Sequence, residues 1–228
     1  GKPNFADRSV QDAVLTVIGK AYRTYFVQLI DDFTVASTPE LNTALEIAKT
    51  EITRRAITTA ASQIAKIDFS ELLPLIVTLA NESKGAVSVR AADILSNATQ
   101  NRTQINPILE LLKEWLQNED GKFTPRRRWT AIVTLGKLDG SMSRQVLNIL
   151  ANCTNKERTS YVRSAIPRAL KPFVSNNPQK SKQILSQLAT DKEVFTRRRV
   201  SQVVKELSYR ETDFVADLLQ SWFMKGSE

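Results

Sequence analysis

The chain has 228 residues, 42% of them hydrophobic, with 32 basic against 24 acidic side chains, one cysteine and no histidine. That is ample apolar material for a packed core, while a single cysteine excludes an intramolecular disulfide and zinc sites built on cysteine pairs. The missing histidine removes the usual general base and the commonest metal ligand, and no Gly-rich phosphate loop or dinucleotide fingerprint is present.

Seven glycines are few for this length, and apolar residues recur at helical spacing throughout, so the chain reads as all-α. The arginines set a register. A capping or half-repeat helix over 7–18 comes first. Arg23 then leads to Phe26, Leu29, Ile30 and Phe33, at offsets of three, six, seven and ten. The same offsets from Arg54 give Ile57, Ala60, Ala61 and Ile64, and the segment SELLPLIVTLA at 70–80 supplies a second apolar helix. Ser88 takes the arginine's place before Ala91, Ile94, Leu95 and Ala98, followed by QINPILELLKEWL at 104–116. Arg128 leads to Ala131, Thr134, Leu135 and Leu138, with SRQVLNILANC after it at 143–153. Arg163 leads to Ile166, Ala169, Leu170 and Phe173, then SKQILSQLA at 181–189. Arg197 leads to Val200, Val203, Val204 and Leu207, then DFVADLLQSWF at 213–223.

Successive rungs lie 31, 34, 40, 35 and 34 residues apart, the length of a helical-pair repeat. Thr38-Pro39, Thr124-Pro125 and Asn177-Pro178 each put a capping side chain before a proline suited to the first helical position. Gly85, Gly121 and Gly140 fall in the connections. Pro167 and Pro172 fall inside the first helix of the fifth repeat and are expected to kink it.

With its Val162-Arg163 pair and the degenerate Val87-Ser88, the chain resembles the HEAT-repeat family of α-solenoids over roughly residues 20–224. YVRSAIPRALKPFV and FTRRRVSQVVKELS look like repeats of that family's DNA-alkylation-repair branch. The resemblance implies a right-handed α-solenoid of about six HEAT-like helical-pair repeats. They would form a single domain over 1–228, with repeats beginning near 20, 51, 86, 125, 158 and 193. It also implies one structural arginine per repeat, here Arg23, Arg54, Arg128, Arg163 and Arg197. Asp191 lies six residues before Arg197 and Glu157 six before Arg163, so each acid is placed to pair with an arginine of its own or a neighbouring turn. The branch's glycosylase activity does not carry over, because no catalytic Trp and Asp pair can be matched.

Charge is unevenly spread. Residues 1–121 carry a net −3, residues 122–210 a net +14, and the last 18 residues a net −3. Arg126, Arg127, Arg168, Arg198 and Arg199 exceed what the repeat needs, and with Trp129 they form the candidate site for a partner or for phosphates. Arg126 to Arg128, Arg163 and Arg197 to Arg199 hold equivalent repeat positions, and stacked repeats about 10 Å apart would align them into a stripe. The leading expectation is a non-enzymatic scaffold for a protein partner, as a regulatory part of a larger multidomain protein. The alternative is a nucleic-acid-binding module that contacts phosphates without reading sequence. No catalytic residue, metal or cofactor is expected. With no run of about 18 apolar residues, neither is a membrane span, and the setting is expected to be cytoplasmic.

Overall fold

Val200, Val203, Val204 and Leu207 are buried along one side of a helix from Val194 to Leu207, while Ser201, Gln202, Lys205 and Glu206 stand in solvent on the other. This 3.6-residue pattern is the unit from which the rest is built. The computed structural model describes residues 58, 61–62, 65–66, 69–82, 85–117 and 122–225, and every regular element among them is a helix. Arg23, Arg54, the 7–18 helix, Thr38-Pro39 and Gly121 lie outside the described residues.

The α-helices are α1 (Leu73–Asn81), α2 (Gly85–Ala98), α3 (Arg102–Leu116), α4 (Pro125–Leu135) and α5 (Ser143–Lys156). After these come α6 (Ser160–Arg163), α7 (Ile166–Leu170), α8 (Pro178–Ala189), α9 (Val194–Leu207) and α10 (Thr212–Lys225). Short 3-10 turns precede α1 and α5 and follow α7. None of the described helices is long and apolar enough to cross a membrane.

Residues 80–92 and 109–225 form one compact unit, and the described residues up to 79 form another with residues 93–108. In the first unit, α4 packs on α6 and α7, and these pack on α9. Alongside, α5 packs on α8, and α8 on α10. Contacts of α7 with α5 and α8, and of α9 with α8 and α10, join the two rows.

Helix starts follow local chemistry. The Thr124 hydroxyl accepts the Arg127 N–H at 3.1 Å and donates to Asn81 at 2.8 Å, with Pro125 at the first helical position. Asn177 accepts the Lys180 N–H at 3.3 Å ahead of Pro178. Gly85 is not a connector as the sequence implied, because it is the first residue of α2. The helix containing Pro167 and Pro172 is broken into α6, α7 and a 3-10 turn at Lys171–Phe173, since each proline lacks an N–H and crowds the preceding turn. Pro107 sits within α3 without ending it.

Candidate interaction surface

The rung arginines come first, because their neighbours are arranged around them. Arg128 and Arg163 are 4% and 6% exposed. Arg128 grips Glu157 through Nε at 2.7 Å and Nη2 at 3.1 Å, and its Nη1 donates to the Phe123 carbonyl at 2.6 Å. Arg163 grips Asp191 through Nε at 2.6 Å and Nη2 at 2.9 Å, and its Nη1 donates to the carbonyls of Glu157 and Arg158. Each acid therefore serves the arginine of the preceding rung, 29 or 28 residues earlier. Its own rung's arginine takes only backbone oxygens from that turn. Paired in this way, each guanidinium links two consecutive turns, and fork-to-fork geometry fixes their register.

The electrostatics follow from this geometry. Burial pushes the Glu157 carboxyl up, but hydrogen bonds from Arg128 and Thr159 outweigh it and hold the group below its ordinary value. The Arg163 hydrogen bond likewise holds Asp191 low against the opposing effect of burial. Ser88, where no arginine stands, is fully buried and donates to the Gly85 carbonyl at 3.1 Å. Cys153 lies buried nearby, its thiol pushed up to about 12 by burial and by the Glu157 charge, which disfavours the thiolate.

Other bonds recur at separations of 35 and 36 residues. In one unit Asn97 donates to Ser62 at 3.1 Å and Asn101 to the Lys66 carbonyl at 2.7 Å, both 35 residues apart. In the other, Lys171–Glu206 and Lys182–Asp217 are 35 apart, while Asn176 to the Gly140 carbonyl, Ser175–Glu211 and Trp222–Ser186 are 36 apart. Gly136 reflects the same stacking, since a Cβ there would lie 2.6 Å from the Ala169 Cα.

Each candidate arginine has its own surroundings. Arg126 lies over Trp129 and Tyr161, 5.5 and 4.9 Å from their ring centres, and donates to the Tyr161 hydroxyl. Trp129 and Tyr161 are themselves stacked, with centroids 6.0 Å apart. Burial pushes the Tyr161 phenol up while Arg126 pulls it back. Arg127 is sandwiched between Trp115 and Phe123, 4.6 Å from each ring, and burial lowers its pKa. Trp115 beneath it is fully buried. Arg168 and Arg198 are exposed. Arg199 is half-buried, donates to Gln202 at 2.8 Å and lies 5.5 Å from the Phe195 ring. Burial and then the neighbouring Arg168 charge lower its pKa.

The structure thus gathers Arg126 with Trp129, encloses Arg127 between rings, and sets Arg168 beside Arg199. The sequence reading missed Phe195 and the exposed Tyr209, Leu219, Phe223 and Met224. A signal was available for Phe195, because Arg126, Tyr161 and Phe195 all stand two residues before a rung arginine. Among the described residues no group of three or more His, Cys, Asp or Glu side chains could hold a metal ion. Compared with models of protein families, with curated proteins and with solved structures, the chain finds no match in any of the three.

Proposed function

We propose that this chain is a protein-interaction module, a right-handed α-solenoid of about six HEAT-like helical pairs that works as a scaffold and not as an enzyme. One observation carries the reading. The rung arginines Arg128 and Arg163 are engaged inside the protein by buried carboxylates, and Arg126 and Arg127 lie half-buried against aromatic rings. Such arginines set the register of a stack, and stacked helical pairs serve chiefly as extended docking surfaces. Hydrogen bonds recurring at 35 and 36 residues support the same periodic architecture.

A second reading has its own support. Arg168 and Arg198 stay exposed in a segment of net +14, which would draw phosphates to a nucleic-acid-binding module. One experiment separates the two. The full chain and an Arg198→Ser/Arg199→Ser variant are titrated with labelled DNA and RNA at low and moderate salt. In parallel, lysine cross-linking in extract is mapped to peptides. The scaffold reading expects reproducible protein cross-links on residues 122–225, and weak nucleic-acid binding that the variant shares. Tight, salt-steep nucleic-acid binding that the variant loses would replace it with the second reading.

A further inference from the structure

Tyr161 and Phe195 both stand two residues before a rung arginine, but their rings are covered differently. Tyr161 is stacked by Trp129, which directly follows the preceding rung's Arg128, and Arg126 lies 4.9 Å from its centre. Ser164 follows Arg163 in the same way, and its hydroxyl donates to the Tyr161 carbonyl at 2.7 Å. A serine brings no ring to stack on Phe195, which is 53% exposed. The cation beside Phe195 comes from Arg199, one turn along α9 and 5.5 Å from the ring centre. The junction of α6 and α7 with α9 therefore keeps the ring and the cation of the earlier junction and lacks the second ring.

Positive charge gathers at the same junction. Lys171, which follows α7, bonds Glu206 of α9 at 2.5 Å and fixes how the two segments face each other. Arg168 lies one turn before Lys171, and Arg199 two turns before Glu206 on the same side of α9, so the two guanidinium groups stand beside that bond. Glu206 is held low first by the Lys171 hydrogen bond and then by the surrounding cations, Arg168 and Arg199 among them. Arg168 is exposed, and no carboxylate among the described residues bonds to it. Arg199 donates only to the neutral Gln202 oxygen, at 2.8 Å. Two like charges side by side, one of them half-buried, disfavour each other, and an anion held by both removes that repulsion. Both walls of the junction belong to the described chain, α6 and α7 on one side and α9 on the other.

We propose that this junction binds a nucleoside phosphate, its base stacked on Phe195 as Trp129 stacks on Tyr161, and its phosphate held between Arg168 and Arg199. The site goes beyond the interaction-module reading and does not depend on it. An exposed aromatic face with a cation beside it calls for a planar ring. Two guanidinium forks without a carboxylate of their own call for an oxyanion. Phe195 and Arg199 are four residues apart on one helix, about 6 Å along its axis, so ring and anion belong to one small ligand. Stacking on a single ring is tolerant of the base.

The probe is AMP, with adenosine and inorganic phosphate as its two halves, titrated against the full chain by isothermal calorimetry. AMP is expected to bind saturably and at least tenfold more tightly than either half. Phe195→Ala, at an exposed position, lowers AMP affinity to that of phosphate and leaves phosphate binding unchanged. Arg168→Gln, also exposed, weakens AMP and phosphate at least fivefold and leaves adenosine unchanged. Arg198→Gln changes none of them. A short oligoadenylate separates two sources of the same chemistry. Binding at least tenfold tighter than AMP, lost in Phe195→Ala, makes the ligand a nucleotide of a single strand and replaces the module reading with the nucleic-acid one. Equal or weaker binding makes it a free nucleotide and leaves the module reading standing. AMP held no better than phosphate overturns the site, and so does a loss in Arg198→Gln as large as in Arg168→Gln, since the basic segment would then attract phosphate diffusely. A chain that binds no nucleotide yet cross-links to protein loses this site and keeps the module reading.

Discussion

Glu157→Gln removes one charge from a pair whose side chains are 5% and 7% exposed, at nearly constant volume. Glutamine keeps one acceptor oxygen, which can take the Thr159 N–H and one guanidinium N–H as Glu157 Oε1 does, but an amide NH2 replaces Oε2 and ends the two-point grip at 2.7 and 3.1 Å. Arg128 is left as a buried cation facing only neutral acceptors, the glutamine oxygen, the Phe123 carbonyl and the Thr159 hydroxyl. Removing one partner of a buried ion pair costs about 3–5 kcal/mol. The exposed Lys113–Glu110 pair, at 41% and 70% exposure, is the internal control, and Glu110→Gln should cost at most about 1 kcal/mol. The assay is urea unfolding followed by tryptophan fluorescence, since Trp115, Trp129 and Trp222 all lie in the compact unit that holds the pair. With a denaturant slope of roughly 1–3 kcal/mol per M, Glu157→Gln lowers the midpoint by about 1 M or more. Hydrogen exchange should show the loss of protection concentrated in α4 and α6. Arg128→Met with Glu157→Leu should recover most of the deficit, because apolar groups of similar volume replace buried ion pairs at little cost. A Glu157→Gln midpoint no lower than that of Glu110→Gln would refute the idea that these arginines hold the stack in register.

Two further outcomes follow from the same contacts. Glu157 and Asp191 both have folded values held below their ordinary 4.5 and 3.8, so the unfolded chain binds protons more readily than the folded one at acid pH. The stability they contribute is complete above those ordinary values and drains as the pH falls through the lower folded ones. Urea midpoints between pH 6 and pH 2.5 should fall steeply, and more shallowly in a Glu157→Gln/Asp191→Asn variant. Gly136→Ala places a methyl 2.6 Å from the Ala169 Cα and 2.9 Å from its Cβ, atoms that no rotamer change can move. It should cost about 1–3 kcal/mol by overpacking, read as a lower thermal midpoint. Gly136 has an ordinary helical φ of −70°, so the effect is one of space and not of backbone strain.

Much of the helical layout was legible in the sequence because it depends on short-range chemistry. The α9 ladder is visible as Val200, Val203, Val204 and Leu207, since side chains three and four apart share a helix face. Thr124 and Asn177 announce helix starts because a cap bonds within three residues of itself. The broken helix at Pro167 and Pro172 follows from the proline ring alone. What the sequence left open depends on pairings 28 to 36 residues long. Glu157 lies six residues before one arginine and 29 after another, and only packing decides that Arg128 takes its carboxylate while Arg163 takes its carbonyl. The arginine clusters, alike as letters, part company for the same reason. Arg127 meets Trp115 and Phe123, Arg126 meets Tyr161 of α6, and Arg198 meets solvent. Composition and periodicity fix which residues face a helix's buried side. Which charges are engaged, and which remain exposed, is decided when one helical pair is set against the next.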